Sequence, residues 1–202
     1  MIRAMCSSDV DEVVEIHLAS FPEFFLTFLG RRFLRLLYEH IVADDVGVAL
    51  VSTDGEGRMT GFVAGVTEQG RFYRRLAKQR KWRFAWAATR AVLDRPSIVP
   101  RLVRGLNRSS EASDSGAPAC LMSIAVRPGA SGRGEGRHLI AGFSDEMRRR
   151  SVPTYCLTTD RDGNDRVNAF YRTLGFQLAR TFVTAEGRPM NEYVISTGFE
   201  IR

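Results

Sequence analysis

Apolar positions recur along the chain with two periods, and the switches between them mark the elements. Val10, Val13, Val14 and then His17 or Leu18 fall at helical spacing. Ser8 with Asp11 makes a capping-box-like start to that run, and residues 2–6 read as a short strand. Phe21-Pro22 breaks the helix. A second helix is predicted over about 25–42, with Phe25, Leu26, Leu29, Phe33, Leu36, Leu37, His40 and Ile41 as its stripe. Val46 to Ser52 and Thr60 to Val66 are β-rich runs around the turn Asp54-Gly55-Glu56-Gly57. Ala119 to Val126 and Tyr155 to Thr159 are apolar strands. Between them Leu139, Ile140, Phe143 and Met147 mark a helix that ends near Arg148-Arg149-Arg150, where cations suit the helix dipole. Val167, Phe170, Tyr171 and Leu174 mark another helix, stopped by Gly175. Strands over about 177–183 and 190–196 flank the turn Glu186-Gly187-Arg188-Pro189. No internal repeat is present.

The 202 residues suit one domain with a sizeable core. A content of 44% hydrophobic and 26% charged residues excludes a disordered, collagen-like or low-complexity chain. Cys6, Cys120 and Cys156 are widely spaced, with no CxxC pair, and His17, His40 and His138 lie far apart. No metal site is therefore expected, and the cysteines read as free buried thiols in a reducing compartment. No apolar leader follows Met1, and no uncharged stretch approaches the roughly 20 residues that span a bilayer. The expectation is a soluble, cytoplasmic chain without stable membrane insertion.

Charge changes the picture in one place. The net charge is +6, yet residues 71–108 hold twelve Lys and Arg against Asp94 alone, so the remainder carries −5. Phe72, Leu76, Trp82, Phe84, Trp86, Leu93 and Val103 run through this segment in a broadly helical pattern, and Ser109 to Pro118 follows as a polar linker. The segment reads as a helical insertion over about 70–108. A solvated helical face, a lid on an acceptor pocket, a surface for an anionic acceptor and a membrane-surface contact all fit it. Trp82 and Trp86 also suit a homodimer contact. Nucleic-acid binding is not expected, because no recognition motif accompanies the charge.

The most informative stretch is Ser123 to Ile140. A strand feeds Gly132, Gly134 and Gly136, and a helix begins at once. Amides clustered at a helix N-terminus form a nest for phosphate or pyrophosphate. The nucleotide-hydrolase loop GxxxxGK[ST] is excluded, because no Lys follows the glycines. The dinucleotide fingerprint GxGxxG fails at Arg137. Asp160 imitates that fold's ribose-binding acid, but too little chain follows it. A coenzyme A loop, [QR]xxGxG, remains.

That loop occurs here as Ser131-Gly-Arg-Gly-Glu-Gly136, after Ile124-Ala125-Val126 and before Asn164-Asp-Arg-Val-Asn-Ala-Phe-Tyr-Arg-Thr-Leu-Gly-Phe176. In order and separation these pieces resemble the GNAT acetyltransferase superfamily over about 119–176. Two positions depart from the pattern: Ser131 stands where Gln or Arg is preferred, and Val167 replaces a small alanine.

The resemblance implies a single α/β (α+β) domain. Its mixed, mostly antiparallel sheet of six or seven strands is flanked by helices, with the basic insertion between strands three and four. It implies acetyl-CoA as co-substrate and no metal. The pantetheine arm would pair with the main chain at Ile124 and Val126. The amides of Gly132, Arg133, Gly134, Glu135, Gly136 and Arg137 would hold the pyrophosphate, and Ser131 and Asn164 would lie beside the cofactor. Tyr171 would be the general acid for the departing thiolate. A strand amide near Ile124 or Ala125 would meet charge developing on the thioester oxygen. The acceptor would be a small-molecule or amino-sugar amine, attacking directly. For the base that deprotonates it, Glu23 is the first candidate and Glu68 a weaker one. His17 and His40 read as structural, while His138 lies within reach of a phosphate. Two rival readings stay open: a non-catalytic acyl-CoA-binding module on the same fold, and a basic membrane- or nucleic-acid-binding protein with a structural glycine loop.

Overall fold

The computed structural model describes residues 1–22, 24–94, 116–130, 132, 134–199 and 201. Strands β1 (Ile2–Ala4), β2 (Gly47–Thr53), β3 (Met59–Val66), β4 (Ala119–Val126), β5 (Thr154–Asp160), β6 (Gln177–Val183) and β7 (Pro189–Ser196) form one sheet in the order β1-β2-β3-β4-β5-β7-β6. Every neighbouring pair is antiparallel except β4 and β5, which are parallel. The described helices are α1 (Val10–Ser20), α2 (Phe25–Leu29), α3 (Arg31–Ala43), α4 (Gln69–Asp94), α5 (Glu135–Arg149) and α6 (Asp165–Thr173).

Alternation along the central strands sorts their side chains between two layers. Val51, Phe62, Ala64 and Val66 pack with Val13, Val14, Leu34, Tyr38 and Phe72 from α1, α3 and α4. Val48, Leu50 and Val63 pack on the other face with Leu139, Ile140, Phe143 and Met147 of α5 and with Tyr171 of α6. Those four α5 residues are fully buried. At about 1.5–3 kcal/mol for each large side chain, this face fixes the helix against the sheet.

Three readings of the sequence need correction. The helix expected over 25–42 is two helices, because Gly30 adopts φ +86°, and its carbonyl accepts the N–H groups of Phe33 and Leu34 at 3.1 Å each. The apolar stripe crosses the break because Leu29 and Phe33 are both buried, so periodicity alone does not register it. The chain also enters α1 through a 3₁₀ turn, Ser7–Asp9, rather than through Ser8 and Asp11. There the Asp9 carboxylate accepts the Cys6 N–H at 2.8 Å and the Arg3 guanidinium at 2.6 and 2.8 Å. Arg3 holds that carboxyl well below the usual range. Finally, Cys120 and Cys156 are buried but Cys6 is exposed, and all three are free.

The basic insertion is helical over α4, which buries Phe72, Leu76, Phe84, Ala87 and Ala88 against the first layer. Its continuation over 95–108 and most of the polar linker lie outside the described residues. Among the described residues no helix is long and apolar enough to cross a membrane, and no cluster of three His, Cys, Asp or Glu could hold a metal.

Candidate active site

Strand β4 pairs with β3 from Gly61↔Val126 to Val66↔Cys120. It pairs with β5 only at Ala119↔Tyr155 and Cys120↔Cys156. Beyond these pairs the two parallel strands part, and the backbone of β4 toward Val126 has no β5 partner among the described residues.

One extra residue sits in β4 at this fork. The register runs Ala64↔Ser123 and then Gly65↔Leu121, leaving Met122 as a bulge. The bulge inverts the alternation. Ala119 and Leu121 face the α5–α6 layer, and so do Ile124 and Val126, whereas Ala125 faces the α1–α3 layer. On that second face the Ser123 hydroxyl accepts a hydrogen bond from Tyr38 at 3.1 Å, and Tyr38 lies 2.7 Å from His17 Nδ1. Burial lowers the His17 pKa to about 4, which keeps the ring neutral and accords with its structural reading. His40 packs its ring on Phe72 with centroids 5.0 Å apart.

The glycine-rich loop leaves β4 tied down on both sides. The Arg127 N–H donates to the Thr60 carbonyl at 2.7 Å. Its guanidinium donates to the Met59 carbonyl at 3.0 Å and to Glu12 at 2.6 Å. Gly132 and Gly134 have φ of +87° and +79°, the left-handed region that favours glycine. Ser131 and Arg133 lie outside the described residues. Gly134 caps α5, and its carbonyl receives the His138 N–H at 3.1 Å. The amides of Glu135, Gly136 and Arg137 therefore belong to the first turn, where no intrahelical acceptor exists. The Glu135 carboxylate accepts from the Thr60 hydroxyl at 3.4 Å, on the β3 side. A Cβ on Gly136 would stand 3.3 Å from Phe170 Cζ, so α6 packs on that first turn; a Cβ on Gly132 would meet nothing within 4 Å. The nest thus opens outward between α5 and α6. His138 is exposed beside it.

Asn164 stands just before α6. Its Nδ2 donates to Thr159 Oγ1 at 2.8 Å and to the Asp160 carbonyl at 3.2 Å. Tyr171, one face along the same helix, is 6% exposed, with its ring 5.5 Å from Phe176 and 6.1 Å from Tyr193. Its hydroxyl has no hydrogen-bond partner among the described residues. Burial pushes its pKa up to about 12, so the hydroxyl keeps its proton at neutral pH.

Sequence reasoning passed over the network that holds α6 in place. Buried Asn168 donates through Nδ2 to the Asp160 and Asn164 carbonyls, each at 2.9 Å. Its Oδ1 accepts from Asn191 Nδ2 at 2.8 Å and from the Tyr193 hydroxyl at 3.0 Å. An asparagine three residues before Tyr171, on the same helical face, is the signal that was available.

The other candidates fall as follows. Glu23 lies outside the described residues. Its neighbours Phe21 and Phe24 stack edge-on at 5.1 Å, and Phe24 carries the Arg188 guanidinium 5.3 Å from its ring. Asp160 is not a free ribose-type acid, because Arg188 grips both its oxygens. Glu68 pairs with Arg71 at 3.5 Å and precedes Gln69, whose N–H donates to Pro118. That places it where β4 begins, at the closed end of the fork, away from the glycine nest.

Residues 10–176 match the model of the acetyltransferase (GNAT) family. The chain belongs to that family. No curated protein sequence matches it. Solved GNAT-like structures share its fold at low identity. SsHAT is 22% identical with a TM-score of 0.65, covering 98% of this chain and 98% of that one. The ribosomal-protein-S18-alanine N-acetyltransferase of Escherichia coli is 16% identical, with a TM-score of 0.60 over 100% and 95% of the two chains. An aminoglycoside 6'-N-acetyltransferase complexed with coenzyme A is 12% identical, with a TM-score of 0.61 over 98% and 97%. The mixed seven-stranded sheet flanked by helices is thus the GNAT fold. Val167, the departure within the second motif, is exposed on α6, so its extra bulk does not enter the core.

Proposed function

We propose that this GNAT protein is an N-acetyltransferase, a single domain that passes the acetyl group of acetyl-CoA directly to a primary amine of a small molecule, amino sugars included. The observation that carries this reading is the parting of β4 from β5 beside two left-handed glycines at the start of α5. The residues fit the co-substrate: the cradle has no side chain at Gly132 and Gly134, and it is backed by a helix dipole that favours a diphosphate.

When bound, acetyl-CoA supplies an acetyl thioester. The amides of 132–137 would hold the diphosphate, with Ser131 and Asn164 as further contacts that the family pattern implies. The β4 backbone at Ile124 and Val126 offers the groups that β5 leaves unpaired, and an amide at Ile124 or Ala125 faces charge that develops on a carbonyl oxygen. Tyr171, buried beside Phe176 and Tyr193, keeps a proton and donates it to a leaving sulfur; the low polarity that raises its pKa also strengthens that hydrogen bond. Glu23, which precedes Phe24 in the sequence, is the acceptor-side base.

Calorimetric titration with acetyl-CoA, followed by a free-thiol release screen over amine classes, tests this. Saturable binding and amine-dependent thiol release are expected. Absence of binding at millimolar acetyl-CoA overturns the reading, and binding without thiol release for any amine leaves the non-catalytic module in its place.

A further inference from the structure

Helix α4 presents to solvent a face that the acetyl-transfer reading does not use. Its inner side, with Phe72, Leu76, Phe84, Ala87 and Ala88, is buried. Arg74, Lys78, Trp82 and Trp86 follow one another at four-residue steps on the outer side, and all are exposed. Trp82 is 79% exposed, Trp86 69% and Leu93, further along, 75%. Arg32 of α3 adds its guanidinium 5.4 Å from the Trp86 ring.

The cations described in this region divide into two groups. Arg31, Arg35, Arg71 and Arg75 are paired with Glu15, Glu39, Asp45 and Asp44. Arg32, Arg74, Lys78 and Arg83 have no carboxylate partner among the described residues. Arg74 and Lys78 thus share one side of α4 with Trp82 and Trp86, and Arg83 stands exposed on its flank. A second copy of the same face would repel it, and a neutral apolar partner would leave the cations uncompensated. An anionic surface that is charged outside and apolar within satisfies both parts, with Lys and Arg at the headgroups and Trp and Leu at the acyl boundary.

We propose that the outer face of α4 docks peripherally on an anionic lipid bilayer, with Trp82, Trp86 and Leu93 entering the interface. The inference does not depend on the acetyl-transfer reading. The chain supplies its own reporter, since Trp82 and Trp86 are its only tryptophans.

The test titrates the full chain with phosphatidylcholine vesicles containing phosphatidylglycerol, with pure phosphatidylcholine vesicles and with a single-stranded oligonucleotide. Tryptophan emission and co-sedimentation are followed. The anionic vesicles alone should shift the emission to the blue and carry the protein down, and added salt should reverse both. The variant Arg74→Gln/Lys78→Gln/Arg83→Gln changes only exposed side chains and should weaken vesicle binding by about a hundredfold. Trp82→Ala should weaken it while Trp86 still reports. No shift with anionic vesicles, an equal shift with neutral ones, or tighter binding to the oligonucleotide overturns the proposal.

Discussion

Arg188, in the turn between β6 and β7, holds both carboxylate oxygens of Asp160 at the end of β5, through Nη2 at 2.5 and 2.6 Å. The same guanidinium lies over Phe24, in the segment between α1 and α2. Three connections distant in sequence thus meet at the open end of the β4–β5 fork. Replacing Arg188 by Ala should raise the KM for the acceptor several-fold and change acetyl-CoA affinity little. Both side chains are partly exposed, so stability should fall by no more than about 1 kcal/mol. Steady-state kinetics and urea denaturation measure the two effects; a loss confined to coenzyme affinity would place this ion pair elsewhere in the reaction.

Tyr171→Phe removes one oxygen from a site packed by Phe176 and Tyr193 and leaves the ring in place. Turnover should drop by about 10²-fold or more, with acetyl-CoA affinity within a few-fold of the parent. With the hydroxyl pushed up to about 12, its ionisation should leave the parent's rate unaffected from pH 6 to pH 10. Unchanged turnover in the variant would remove Tyr171 from the proton transfer.

Gly132→Ala and Gly134→Ala each force a side chain into the left-handed region, at about 1–2 kcal/mol of backbone strain. No atom crowds a Cβ at Gly132, so any loss there comes from the backbone. Acetyl-CoA affinity should fall at least tenfold in both, seen by calorimetry, with far-ultraviolet circular dichroism unchanged. Parent-like affinity would move the diphosphate away from this loop.

His17 makes folding stability depend on pH. Its pKa is lowered to about 4 by burial, while in the unfolded chain it is near 6.5. Between these values the unfolded state binds a proton that the native state excludes, so stability falls as pH drops from 6.5 toward 4. The expected loss is about 3 kcal/mol across that window. His17→Phe should flatten the profile there, as read by denaturation midpoints at each pH; an unchanged slope would assign the acid sensitivity to other groups.

Much of this arrangement is legible from the chain. The seven strands are legible as short β-rich or apolar runs between turns, and Asp54 marks its hairpin by accepting the N–H groups of Glu56 and Arg58. The glycine loop falls between β4 and α5, and Tyr171 falls on α6, the elements that the sequence pattern predicts around them. Other features leave no local trace. A single extra residue at Met122 changes which side chains face which layer without changing the composition of β4. Strand β7 inserts between β5 and β6, an order that alternation does not encode. Arg188 and Asp160 are 28 residues apart, and charge alone does not choose between Asp160 and the chain's other carboxylates. Asn168 looks like an ordinary polar helix position until β7 supplies Asn191 and Tyr193.

The fork has a mechanical corollary. Two half-sheets, β1–β4 and β5–β7, are hinged at four residues and otherwise kept together by the helices that straddle them. A guest that bridges the unzipped edges would act as a clasp. Amide hydrogen exchange along Met122–Val126 and Leu157–Asp160 should then slow together when the guest arrives, coupling the stiffness of both halves to occupancy.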